Sequence, residues 1–128
     1  PCPLFVPLVE EGWLHDPVTV EVAKRYLQEL KDKDVDTLIL GCTHYPLIRS
    51  TIREVMGEKV RLVNPAYETA LELKNLLQQT DMLSTGEQQE EIPYRFYVSD
   101  LADEFEEFAN SILPYDVERT QKIDIEKY

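Results

Sequence analysis

Two short apolar runs restrict the architecture of this chain more than any other feature. Leu38-Ile39-Leu40 ends at Gly41, Val60 to Val63 ends at Asn64-Pro65, and each run lies between segments of helical periodicity. Runs this short, without polar alternation, suit strands buried on both faces, as in a parallel sheet covered by helices. The first strand is expected over Asp36 to Leu40 and the second over Val60 to Val63. Asp16-Pro17 supplies an N-cap followed by proline at the first helical position. Val18, Val22, Ala23, Tyr26, Leu27 and Leu30 then predict a helix to about residue 32. Pro46 suits the first turn of a second helix, through Leu47, Ile48, Ile52, Val55 and Met56, and Gly57 suits its end. Asn64-Pro65 repeats the cap-plus-proline device ahead of a face made by Ala66, Ala70, Leu73, Leu76 and Leu77.

The alternation continues to the end of the chain. Thr80 to Pro93 predicts a loop, Tyr94 to Val98 a strand, and Asp100 the cap of a helix lined by Leu101, Phe105, Phe108, Ala109 and Ile112. Pro114 stops that helix, and a short extended piece is expected around Val117. Strands alternating with helices of this length imply right-handed βαβ crossovers and an α/β fold, a mostly parallel sheet with flanking helices. The Tyr and Phe side chains fall mostly on apolar faces or strands, where core packing accounts for them.

Composition narrows the function classes. A chain of 128 residues, 43% of them apolar, is long enough for one real core. Its 25 Asp and Glu against 13 Lys and Arg, a net charge of −12, argue against a nucleic-acid partner, whose phosphates call for clustered bases. Asp103, Glu104, Glu106 and Glu107 fit the solvent faces of the last helix. No apolar run approaches the roughly 20 residues that a membrane span needs, and no basic segment precedes an apolar one as in a signal peptide. Two cysteines make neither a disulfide framework nor a zinc set, so a reduced, cytoplasmic setting without metal is expected. The opening Pro1-Cys2-Pro3-Leu4-Phe5-Val6-Pro7, apolar at once and without Met, is what the interior of a longer protein would show.

Chemistry is expected at Gly41-Cys42-Thr43-His44-Tyr45-Pro46, between the first strand and a helix start. Ligands of parallel α/β sheets gather outside the carboxyl ends of the strands. Unpaired N–H groups and the helix dipole there favour a thiolate, so Cys42 is a candidate nucleophile or base. His44 is close enough to exchange a proton with it or hold it by charge. Thr43 offers a hydroxyl and an N–H to an anionic ligand, and Gly41 lets a ligand approach the backbone. Glu10 and Glu11 place carboxylates beside an apolar segment ahead of Trp13, where one could carry a proton or orient an amine. Cys2, between two prolines, is expected to be structural.

These residues resemble a known family. Cys2-Pro3-Leu4-Phe5-Val6-Pro7-Leu8-Val9-Glu10-Glu11-Gly12, and Cys42 within Leu40-Gly41-Cys42-Thr43-His44-Tyr45-Pro46, look like the second half of bacterial glutamate racemase. The run Thr-His-Tyr-Pro distinguishes the glutamate enzymes from the aspartate and hydantoin racemases, which also place a cysteine after a glycine here. Glu68-Thr69-Ala70 fits as well, whereas Asn64-Pro65 stands where many members carry Asp-Ser. The resemblance runs from Pro1 to about Ile112.

The resemblance implies cofactor-independent racemisation of glutamate by two cysteines, supplying D-glutamate for peptidoglycan. Cys42 would be the base acting on L-glutamate with His44 assisting, Thr43 would bind substrate, and Glu10 would be the acidic residue near the site, with Glu11 as its alternative. The family's other catalytic cysteine lies in a first half that this sequence does not contain, so the chain alone is expected to be inactive. That missing N-terminal half is the implied partner, and a homodimer is expected because members commonly pair. Residues 1–64 would be part of the second α/β domain, and residues 65–128 would return to the first. An aspartate-type racemase and a non-catalytic half-domain binding an acidic ligand are the alternatives.

Overall fold

The first of two compact units, Pro1–Thr85, contains in chain order α1 (Phe5–Glu10), α2 (Pro17–Asp32), β1 (Thr37–Ile39), a 3₁₀ turn (Tyr45–Ile48), α3 (Arg49–Met56), β2 (Arg61–Val63) and α4 (Pro65–Gln79). The second, Gly86–Tyr128, contains β3 (Tyr97–Val98), α5 (Ala102–Ile112), β4 (Gln121–Lys122) and a closing 3₁₀ turn (Ile125–Lys127). The structure is a computed structural model and describes residues 1–84, 94–100, 102–114, 117 and 120–127. Leu101, the greater part of the loop expected over Thr80 to Pro93 and the neighbours of Val117 lie outside the described residues.

Both cap-plus-proline devices act as the sequence predicts. Asp16 accepts the Val18 N–H at 2.7 Å and Asn64 accepts the Ala66 N–H at 3.1 Å, each from extended backbone. α3 ends at Gly57, whose φ of 85° favours glycine. The Arg53 guanidinium then gathers the carbonyls of Gly57 and Val60, fastening the turn into β2.

β1 and β2 are parallel, with Thr37 opposite Arg61 and Ile39 opposite Val63. Leu38 and Leu62 face inward, whereas Thr37 and Ile39 point the other way and Ile39 is 63% exposed. The expectation of a strand buried on both faces is therefore met on one face only, because the pair is two strands wide and Ile39 on its other face is exposed. β3 and β4 are also parallel, in a second two-stranded sheet. The parallel α/β class holds, with two small parallel sheets among the described residues. The strand expected over Tyr94 to Val98 shortens to Tyr97–Val98, opposite a two-residue partner.

The core of the first unit joins Phe5 and Val9 of α1, Ala23 and Leu27 of α2, Leu40 beyond β1, and Ile48, Ile52, Val55 and Met56 around α3. Two buried threonines tie the 13–14 segment to it. Thr19 Oγ1 donates to the Trp13 carbonyl at 2.6 Å and Thr51 Oγ1 to the Leu14 carbonyl at 2.7 Å. In the second unit Ala109 and Val117 are buried, and the Asn110 amide brackets Val117, accepting its N–H at 2.5 Å and donating to its carbonyl at 3.4 Å. Core packing accounts for Phe5, but Tyr67, Tyr94 and Tyr97 are exposed, which departs from the expectation for the aromatic residues.

Candidate active site

Beyond β1 the chain turns back on itself twice. The Gly41 N–H donates to the Ile39 carbonyl at 3.0 Å and the Cys42 N–H to the Leu40 carbonyl at 2.9 Å. These tight turns end the strand and leave Cys42 half-buried at its carboxyl end, three residues before the 3₁₀ turn that leads into α3. Gly41 has no positive φ, and a Cβ there would meet nothing within 4 Å. The space beside its backbone is open.

Residues 42 to 44 form a short series of contacts, the first through the backbone N–H of His44 and the second through its ring. The His44 N–H lies 3.4 Å from Cys42 Sγ, and Thr43 Oγ1 lies 3.0 Å from His44 Nδ1. On the far side of the ring, His44 Nε2 faces Glu10 Oε1 at 3.5 Å. A carboxylate at Nε2 favours a proton on that nitrogen, so in the neutral ring Nδ1 accepts from the Thr43 hydroxyl. When the ring is charged, both nitrogens donate, and Glu10 holds the cation. Glu10 is 58% exposed and His44 24%, so solvent screens the pair and its strength is about 1 kcal/mol or less.

The structure thus brings Cys42, Thr43, His44 and Glu10 together and separates Glu11 from them. Successive positions on a helix point about 100° apart. Glu11 follows the last residue of α1 and borders a different hollow, with Leu4, Leu8, Trp13, Val18 and Val22. Cys2 is half-buried, and burial pushes its thiol above the ordinary range against the opposing pull of the N-terminal charge and Tyr45. Burial likewise pushes the Tyr45 phenol upward. Tyr45 was not singled out by the sequence, although its hydroxyl reaches the backbone of Cys2, 43 positions away. No periodicity signals a side chain bonding to a distant main chain.

No protein-family model matches the chain. Curated relatives and solved structures do. Glutamate racemase of Thermoanaerobacter sp. (strain X514) is 45% identical over 127 residues, 99% of this chain and 47% of the relative. The chain is similar to the C-terminal half of glutamate racemases. The crystal structure of glutamate racemase from Francisella tularensis in complex with D-glutamate superposes with a TM-score of 0.85 at 34% identity, covering 100% of this chain and 47% of that one. Glutamate racemase from Thermus thermophilus, in complex with β-chloro-D-alanine, gives a TM-score of 0.81 at 36% identity, with 99% and 47% coverage. The α/β fold with short parallel strands is that of glutamate racemase structures. The chain spans about half the length of the curated relatives it matches. Among the described residues no helix is long and apolar enough to cross a membrane.

Proposed function

We propose that this chain supplies one half of the active site of a cofactor-independent glutamate racemase. The observation that carries the reading is the Cys42 thiol at the carboxyl end of β1, contacted by the backbone N–H of His44, the residue whose ring pairs with the Glu10 carboxylate. It occurs in a chain similar to glutamate racemases along 99% of its length.

In this reading the Cys42 thiolate takes the α-proton of L-glutamate. The Cα–H bond breaks, an S–H bond forms, and the electron pair remains on the substrate beside its carboxylate. Inversion requires a proton from the opposite face, because a single group returns it to the side it came from. The missing N-terminal half supplies that second thiol. His44, held by Glu10, favours the thiolate by its charge, while Thr43 and the open backbone at Gly41 receive the substrate carboxylate. The product is D-glutamate for peptidoglycan, made in the cytoplasm.

The exposed face of α4 supports the expected partner. That helix has no buried residue, and Leu73 and Leu76 are 54% and 53% exposed. An apolar helix left uncovered is what a segment returning to another domain presents. In this reading residues 1–64 belong to the second domain, residues 65–128 complete the first, and pairing with a second copy is a further step of assembly. The test is deuterium exchange at Cα of L- and D-glutamate in D₂O, with and without the complementary half supplied as a separate chain. Together the halves should exchange and interconvert both enantiomers, and Cys42→Ser should stop exchange from L-glutamate. Undiminished exchange in the Cys42→Ser complex would overturn the role given to this thiol.

A further inference from the structure

The helix that carries Glu10 has little of its own to hold it. α1 is 6 residues long, starts at Leu4 without a side-chain cap, and has no acidic residue in its first turn and no basic one in its last. Isolated helices of this length do not persist in water. Both ends of α1 instead meet two adjacent residues of the site loop. At the C-terminal end Glu10 Oε1 lies 3.5 Å from His44 Nε2. Ahead of the N-terminal end, the Tyr45 hydroxyl accepts the Cys2 N–H at 3.2 Å and donates to the Cys2 carbonyl at 3.3 Å. That carbonyl also accepts the Phe5 N–H at 3.0 Å, so the phenol grips the turn from which the helix starts. The Tyr45 ring stands edge-on to Phe5, with centroids 5.4 Å apart and planes at 89°, and Phe5 is 1% exposed.

We infer that Tyr45 is a positioning residue whose hydroxyl fixes the register of α1 along the site loop and so presents Glu10 to His44. The inference deepens the racemase reading and rests on it, since the pair matters to the reaction only where Cys42 acts as a base. A slip of one residue would turn the Glu10 side chain through about 100° about the helix axis. The core contact of the Tyr45 ring and the register contact of its hydroxyl are separable, because Tyr45→Phe removes only the second.

The experiment measures iodoacetamide alkylation of this chain at neutral pH, resolved at the Cys42 peptide by mass spectrometry so that Cys2 is counted apart. Four chains are compared: wild type, Glu10→Gln, Tyr45→Phe and the double variant. Glu10→Gln removes the carboxylate that faces the His44 ring, so Cys42 should react about threefold more slowly, as befits a partly exposed pair. Tyr45→Phe should slow it by a similar factor, and the double variant should be no slower than Glu10→Gln alone. Backbone amide exchange should quicken at Phe5 while α2 and α3 stay unchanged. A wild-type rate in Tyr45→Phe overturns the inference. So does an equal slowing by Tyr45→Phe in both backgrounds, or a loosening of α2 and α3 together with α1. A wild-type rate in Glu10→Gln overturns it too, since no pair is then there to position. None of these measurements involves turnover, so failure here leaves the Cα exchange result standing, and the reverse.

Discussion

α2 and α4 are nearly equal in length, 16 and 15 residues, and start in the same manner, with an Asx cap and a proline. One buries Thr19, Ala23 and Leu27, and the other buries nothing. The comparison separates two problems that a sequence solves independently. Where a helix begins is decided within four residues by cap chemistry. Whether it contributes to stability depends on what its apolar face meets, and most helical stability in proteins comes from that packing. α2 meets α3 and the buried Phe5 of α1 within its own unit, whereas α4 carries leucines of the same quality without a cover.

Core truncation should draw the contrast most strongly. Ile52→Ala, in α3 against α2, is expected to destabilise the chain by about 3 kcal/mol, read as a lowered midpoint in urea. Leu73→Ala with Leu76→Ala in α4 should leave that midpoint within about 0.5 kcal/mol and instead weaken assembly with the complementary half. A midpoint that falls as far for the α4 pair as for Ile52→Ala would erase the distinction. Next in size is Thr51→Val, which leaves the Leu14 carbonyl without its buried donor and should cost about 1–3 kcal/mol in the same measurement.

The caps sharpen the comparison further. Asp16→Ala should cost about 1 kcal/mol of global stability, because α2 is part of the cooperative unit. Asn64→Ala loses an equivalent bond, but the loss should show as faster amide exchange confined to the first turn of α4. A smaller effect lies at high pH. Burial raises the Cys2 thiol and the Tyr45 phenol, so the folded chain retains their protons longer than the unfolded one. Stability from this source is present in full below the unfolded values, about 8.5 and 10, and is lost as pH rises through the folded ones. Tyr45→Phe should flatten the upper part of the alkaline decline in melting temperature. The smallest effect belongs to the fully exposed Lys33–Glu29 pair on α2, and Lys33→Ala should leave the melting temperature unchanged within error.

Legibility in the sequence follows the same division. The caps and prolines placed α2 and α4 closely and Gly57 the end of α3, whereas Pro46, expected in the first turn of that helix, lies in a 3₁₀ turn ahead of it. The junction after β1 marked Cys42, Thr43 and His44 as candidates for chemistry. α1 escaped because Pro3 and Pro7 suggest an extended opening. Pro7 is the third residue of the helix, however, where its missing N–H falls among donors that have no intrahelical partner. The choice between Glu10 and Glu11 stayed open for a related reason, since side-chain directions on an unrecognised helix cannot be assigned. β4 carries Gln121 and Lys122, both exposed, and offers no hydrophobic signal. The exposed face of β1 was illegible because an apolar Ile39 reads as a core residue whether or not neighbours cover it.

The register of β1 on β2 has a consequence for the order of events during synthesis. Thr37 pairs with Arg61, only 24 positions later, and the 3₁₀ turn with α3 fills about half of the interval. Contacts of such short sequence separation form early and quickly. The loop bearing the thiol can therefore be drawn into shape as soon as residue 63 has left the ribosome, while the leucines of α4 are still emerging. The end that carries Cys42 would mature first, and the exposed leucines of α4 would follow.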